Sequence, residues 1–418
     1  MHFFDVLAVL VSLSAVFSWL NERFLKLPTA IGLMLIALGL SLLLLLPIPF
    51  GETLRIQAQT MIAGIDFNET LLHGMLSFLL FAGALHINLH DLARHKWVIG
   101  LLATAGVFVT MLLVGIGSYG LLLLFGIELP FIYCLLFGAL IAPTDPIAVL
   151  GVIKTVGAPK SLEIKIAGES LFNDGVAVVV FMVLFGVVTG AQVGAVTILT
   201  LFLQEALGGV LFGLLVGWLA TLMLRRVDQY QVEVLITLAV ASGGYALAEH
   251  FHLSAPIAVV IAGLMIGNQG TKGAMSASTR EHLGNFWELV DESLNAVLFV
   301  LIGLEVLVII WHTVDLFAAA VMIPLVLIAR ALSISLPLGL MHRWRSFSPA
   351  TVFLLTWGGL RGGISIALAL SLPAGEPRQM IVTMTYAIVV FSILVQGLTL
   401  APAIRALGAR ADAGLDRG

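Results

Sequence analysis

Residues 131–153 read Phe-Ile-Tyr-Cys-Leu-Leu-Phe-Gly-Ala-Leu-Ile-Ala-Pro-Thr-Asp-Pro-Ile-Ala-Val-Leu-Gly-Val-Ile. This apolar run is long enough to cross a bilayer. It is interrupted once, at Ala142-Pro143-Thr144-Asp145-Pro146. Two prolines three residues apart remove two backbone donors and clash with the preceding turn, so the helix should break there. A break at membrane depth frees carbonyls and half-helix ends, which can coordinate a cation if they line a cavity. Asp145 sits in the break. A charged side chain at mid-span costs about 2.5–3.5 kcal/mol on insertion scales, so it calls for a reason. A simple kink capped by an aspartate is the plainer alternative, but a kink does not require a carboxylate in the bilayer.

The rest of the chain has the same character. Its 418 residues are 60% hydrophobic and 11% charged, against about a quarter charged in a soluble domain. That excludes a polar-coated globule, and no basic patch points to nucleic acid. The single cysteine, Cys134, excludes an internal disulfide. Nothing at Met1–Asp5 reads as a removable leader. We read an all-α polytopic membrane protein with thirteen hydrophobic segments. They lie near 5–22, 28–47, 70–89, 97–125, 130–152, 162–188, 194–224, 230–249, 254–269, 290–311, 315–341, 349–372 and 379–404. The more polar stretch 271–288 reads as a surface helix or linker. Residues 1–406 form a single transmembrane domain, and 407–418 a short disordered cytoplasmic tail.

With the N-terminus outside, the cytoplasmic connections and C-terminal end hold sixteen of the twenty Lys and Arg residues, among them Lys165, Lys272, Arg343, Arg345 and Arg417. The opposite connections hold only Arg55 and Arg378. This bias fits the positive-inside rule and predicts the N-terminus out and the C-terminus in. The remaining two, Arg330 and Arg361, fall inside segments.

The sixth segment reads Gly168-Glu169-Ser170-Leu171-Phe172-Asn173-Asp174-Gly175. At roughly 100° per residue, Glu169, Ser170, Asn173 and Asp174 share one helix face. Oxygen-bearing side chains of this kind suit a hard monovalent cation, and a carboxylate can take up a proton instead. One acidic group that binds either is the minimal chemistry of an exchanger. A polar seam between helices is the alternative reading. Arg330 can neutralise one carboxylate; Glu169 is assigned to it, which leaves Asp145 and Asp174. Arg361 lies in Trp357-Gly358-Gly359-Leu360-Arg361-Gly362-Gly363, whose glycines predict a second broken helix. It either bonds freed carbonyls or serves transport directly. The broken segments are the fifth and the twelfth, an odd offset. That is the signature of inverted repeats, approximately 1–188 and 230–404, joined by the segment 194–224, with the broken helices crossing at mid-membrane.

Other polar groups carry less. His86, His90 and His95 read as interfacial, Glu305 as a solvated end or packing contact, and Glu205 as facing another helix or water. Trp97, Trp311 and Trp344 suit interfacial anchoring.

These motifs resemble sodium/proton antiporters of the cation–proton antiporter superfamily, in the branch with an Asn-Asp pair. The resemblance rests on Ala-Pro-Thr-Asp-Pro at 142–146 and Gly-Glu-Ser-Leu-Phe-Asn-Asp-Gly at 168–175. It continues in Leu-Asn-Ala-Val-Leu-Phe-Val-Leu-Ile-Gly-Leu-Glu at 294–305, Ala-Arg-Ala-Leu-Ser at 329–333 and Gly-Gly-Leu-Arg-Gly-Gly at 358–363. It implies a thirteen-helix homodimer in a prokaryotic plasma (inner) membrane and an elevator-like motion of a core domain. It implies a Na+ site around Asp174, with Asp145, Thr144 and Ser170 nearby, supported by Asn173, the Glu169–Arg330 pair and Arg361. Asn173 in place of a second aspartate implies electroneutral exchange of one cation, Na+ or Li+, for one proton. Ala82 stands where many relatives carry an acidic residue, which removes an accessory carboxylate from the third segment. No enzymatic activity and no cofactor is expected beyond the transported ions. K+/H+ exchange is the alternative; a channel and an intramembrane aspartyl protease are remote, since Leu171-Phe172-Asn173 lacks the Gly-x-Gly such a protease carries before its second aspartate.

Overall fold

The computed structural model describes residues 3–46, 51–157, 159–190, 195–269, 277–341 and 348–412. Among them every regular element is helical. Among the described residues nine helices are long and apolar enough to cross a membrane: Phe4–Leu25, Glu69–His86, Lys96–Leu124, Phe131–Ile153, Lys160–Val188, Thr200–Leu224, Tyr230–His250, Thr313–Met341 and Glu376–Leu407. Thr29–Leu45 and Ala255–Asn268 are shorter apolar helices. The predicted count of thirteen is therefore larger than length and composition mark. Its other two segments are the C-terminal half of Ala277–Glu305 and the interrupted pair Pro349–Trp357 and Gly363–Leu370.

Local sequence explains the helix boundaries. Pro130 and Pro159 immediately precede Phe131–Ile141 and Lys160–Val188. Ser348 caps Pro349–Trp357, its Oγ accepting from the Thr351 amide at 3.1 Å, with proline in the first turn. Gly157, at φ +64°, ends Pro146–Val156 in the left-handed conformation that glycine adopts without penalty. Helices meet most closely at glycine: a Cβ on Gly138 would lie 3.0 Å from the Met111 Cα of the neighbouring helix.

Packing sorts the helices into two groups. Helices of 3–86 and 195–305 pack mainly on one another, and so do those of 96–188 and 313–412. Each group draws its helices from both halves of the chain. Lys160–Val188 touches both groups.

Three local readings change. The stretch expected as a surface helix or linker is continuous with the tenth segment from Ala277 onward. Its Trp287 is fully buried. The Trp287 indole packs on Phe81 and donates to the Thr237 hydroxyl at 3.0 Å. The reason is an apolar stripe at helical spacing, Leu283, Trp287, Val290 and Leu294. Lys165, assigned to a connection, is buried within Lys160–Val188. Glu305 is not a solvated end: it is 6% exposed and lines a cavity of about 760 Å³ together with Arg378. Glu205 is half-buried, Trp97 exposed, and Trp311 half-buried with its ring edge-on to Tyr386. His86 and His90 are exposed and His95 half-buried. The last helix runs to Asp412. Trp344, Lys272, Arg343, Arg345 and the end of the tail with Arg417 lie outside the described residues.

Candidate ion-binding site

The fifth segment breaks where its prolines fall. Phe131–Ile141 stops, Ala142–Asp145 is non-helical, and Pro146–Val156 resumes with Asp145 as its cap, Oδ1 accepting from the Ile147 amide at 2.8 Å. The twelfth breaks between Trp357 and Gly363. The breaks lie against each other and satisfy each other's backbone. The Asp145 amide donates to the Leu360 carbonyl at 2.7 Å. Arg361 Nη1 donates to the Ala142 and Pro143 carbonyls at 2.7 and 2.9 Å, and the Arg361 amide donates to Ser392 Oγ at 2.9 Å. The Ala142 carbonyl, stripped of its helical donor by Pro146, and the Pro143 carbonyl, whose donor Ile147 turns to Asp145, are thus capped by a buried guanidinium, as low-dielectric surroundings demand.

The glycines around Arg361 serve space more than conformation. A Cβ on Gly359 would lie 2.9 Å from Arg330 Cζ, and one on Gly362 would lie 2.9 Å from Asp145 Cγ. Both are closer than real side chains pack, so the second break admits the Arg330 guanidinium and the Asp145 carboxylate only because these positions lack side chains.

Lys160–Val188 contributes the polar face. Glu169 is 1% exposed and accepts from both terminal nitrogens of Arg330, the Nη2 bond measuring 3.1 Å. Arg330 Nη2 also donates to the Leu355 carbonyl at 3.3 Å. One turn on, Asn173 Nδ2 donates to Thr144 Oγ1 at 2.8 Å, and the Thr144 and Ser170 hydroxyls bond each other at 2.9 Å. The Thr144 amide reaches Asn173 Oδ1 at 3.4 Å. Asn173, Ser170 and Thr144 therefore lock the first break to this helix. Asp174 differs: it is 4% exposed, and its Oδ1 is buried with no hydrogen-bond partner.

Asp145, Asp174 and Thr144 line one cavity of about 110 Å³, walled by Leu76, Leu171 and Leu298. Ser170, Asn173 and Arg361 stand behind its wall and hold Thr144 and Pro143, while Glu169 and Arg330 lie outside the lining. Two lining groups were not read from the sequence. Asp291 of Ala277–Glu305 is half-exposed and accepts from Asn295 Nδ2 at 3.1 Å. Its only signal was its place among the charges, with Glu288 and Glu292, at the start of the tenth apolar segment. Ser365 lies in the apolar run after the second break, where nothing marks it out. Ala82 is fully buried in a separate apolar cluster with Phe81 and Trp287, so that helix brings no carboxylate at that position.

The arrangement offers a hard cation two carboxylates and hydroxyl oxygen in a space for one ion and a few waters. Among the described residues no cluster of His, Cys, Asp and Glu has the form of a resident metal site.

Comparison with known proteins gives a consistent result. Residues 10–406 match the family described as sodium/hydrogen exchanger, transmembrane. The chain is 49% identical over 407 residues to the Na(+)/H(+) antiporter NhaP of Pseudomonas aeruginosa, covering 96% of each. It is 36% identical to the Na(+)/H(+) antiporter NhaH of Halobacillus dabanensis, again over 96% of each. In fold it is similar to the sodium proton antiporter MjNhaP1 of Methanocaldococcus jannaschii, with a TM-score of 0.74 at 19% identity over 97% of this chain and 98% of that one.

Proposed function

From the premise that the chain belongs to the sodium/hydrogen exchanger family, we propose that it exchanges Na+ for H+ across a membrane, one for one, by alternating access. The observation that carries this reading is the buried Asp174 oxygen without a partner, in a cavity shared with Asp145 and Thr144. A carboxylate oxygen left unpaired in low dielectric is costly unless a proton or cation completes it. Either satisfies the same oxygen, so the two exclude each other.

Charge balance supports the stoichiometry. The charges at the breaks are the carboxylates Asp145, Glu169 and Asp174 and the guanidiniums Arg330 and Arg361. Glu169 is cancelled by Arg330. Arg361 offsets one of the remaining two carboxylates, which leaves one negative charge at the breaks; Asp291, across the cavity, belongs to the other packing group and does not travel with them. One Na+ or one H+ brings the site to neutrality. The empty site is then the only charged form, and it resists moving through apolar surroundings. That makes exchange obligatory and leaves no net charge to cross. The division of the helices into two packing groups, with Lys160–Val188 and both broken pairs in one of them, suits a core that moves as a body against the rest. With Lys165 placed inside its helix, the remaining fifteen-to-two bias of positive residues supports the N-terminus outside and the C-terminus in the cytoplasm of a prokaryotic plasma membrane. A homodimer belongs to the same reading.

The test is proton movement in proteoliposomes holding a pH gradient, with voltage clamped and Na+, Li+ or K+ added in turn. Na+ should collapse the gradient at a rate indifferent to voltage. Asp174→Asn should abolish this and elute as a folded protein from a sizing column. Exchange driven by K+ alone would overturn the ion assignment, and normal exchange in the variant would overturn the site.

A further inference from the structure

We infer that the Ser365 hydroxyl is a further oxygen ligand of the transported Na+, an inference that rests on the exchange reading and extends its site to the second break. Ser365 belongs to Gly363–Leu370, and it lines the cavity that holds Asp145, Asp174 and Thr144. It is fully buried, and its Oγ has no hydrogen-bond partner.

Of the described serines only Ser161 shares this condition, at the start of Lys160–Val188 and away from the cavity. Buried helical serine commonly returns its hydroxyl to a carbonyl three or four residues earlier. Ser14 donates to Leu10, Ser333 to Arg330 and Ser371 to Leu368, at 2.8–3.0 Å. Ser365 lacks that outlet because its helix begins only two residues before it. The residues three and four positions back, Gly362 and Arg361, belong to the break, where the backbone is not helical. The break thus leaves a hydroxyl unsatisfied inside the protein, a costly condition that calls for a partner.

Its surroundings specify that partner. The cavity already presents carboxylate oxygens from Asp145 and Asp174, and a neutral hydroxyl adds a hard oxygen donor without altering the charge balance. Ser170 bonds Thr144 at 2.9 Å behind the cavity wall. Ser365 adds a hydroxyl to the lining from the opposing broken helix. The two cargo ions differ in what they ask of it. A proton needs one carboxylate oxygen, whereas Na+ needs several ligands at once. Ser365 therefore favours Na+ over H+ at a shared carboxylate.

The experiment is Ser365→Ala in proteoliposomes beside the unaltered protein. The apparent KM for Na+ should rise about five- to thirtyfold, the loss of one good oxygen contact. The KM should move further than the maximal rate at saturating Na+, and Ser365→Thr, which keeps the hydroxyl, should restore most of the affinity. A second readout, Na+-dependent thermal stabilisation of the purified protein, should shift to higher Na+ by the same factor. Unchanged Na+ affinity in Ser365→Ala beside normal wild-type exchange would overturn the ligand role alone. So would a maximal rate that falls as far as the KM rises, since that marks a general disturbance. Absence of Na+-driven exchange in the unaltered protein would instead strike the exchange reading itself. If Ser365→Ala fails to assemble, Na+ stabilisation of Ser365→Thr against Ser365→Cys decides: the thiol, a poor ligand for Na+, should lose the shift.

Discussion

Replacing Arg330 by Met tests how the ion site is held together. Arg330 is 6% exposed, and its guanidinium spans both oxygens of Glu169 and the Leu355 carbonyl. The variant leaves a carboxylate that is 1% exposed with no cation beside it. Removing one partner of a buried pair costs about 3–5 kcal/mol, more than the pair itself contributes, because the survivor stays charged in low dielectric. A second substitution, Glu169→Gln, removes that charge. The double variant should therefore recover most of the loss, with a coupling of about 2 kcal/mol or more between the sites. The assay is thermal unfolding in detergent followed by tryptophan fluorescence, all variants at one scan rate because unfolding of such proteins is commonly irreversible. The expected order of midpoints is wild type, then double variant, then Arg330→Met lowest by several degrees. If the two single effects simply add, Glu169 is not stranded by the loss of Arg330 and the reasoning fails.

Two other substitutions probe the breaks. Gly362→Ala places a Cβ 2.9 Å from the Asp145 Cγ, too close for the carboxyl to stay where it is; the backbone there, at φ −129°, accepts alanine. Its cost should be about 1–3 kcal/mol of overpacking, with exchange falling much further than the unfolding midpoint because the displaced group is Asp145; unaltered transport would show that Asp145 has room to spare. Arg361→Met leaves the Ala142 and Pro143 carbonyls without their donor, at about 1–3 kcal/mol each. It should lower both stability and exchange, Arg361→Lys should retain part of both, and wild-type stability in the methionine variant would refute the capping role.

Much of this was legible because its causes are local. Prolines at 143 and 146 remove donors wherever they stand in a helix, so the first break follows from composition alone. The polar face of 168–175 follows from helical periodicity, and the Glu169–Arg330 pairing from the cost of an uncompensated buried charge. The comparison of Ser170 with Ser365 marks where such reasoning stops. Ser170 was picked out because its neighbours in sequence are polar, whereas Ser365 sits in an apolar run and looks like filling. Which of the two keeps a free oxygen depends on what lies opposite. Thr144 arrives across the first break to occupy Ser170, and the second break removes the carbonyl that would have occupied Ser365.

The sequence by itself determined that the chain is a bundle of membrane-crossing helices, that two of them break, and which carboxylates and arginines need compensation. These follow from hydrophobicity, backbone chemistry and charge, which act within a few residues. Only the tertiary structure decided that the two breaks cap each other's carbonyls, that Gly359 and Gly362 make room for Arg330 and Asp145, and that Asp291 and Ser365 share a cavity with Asp174. Those facts depend on atoms brought together from segments about 30 to 220 positions apart in the numbering, and an unpaired oxygen can be recognised only once every partner within reach has been placed.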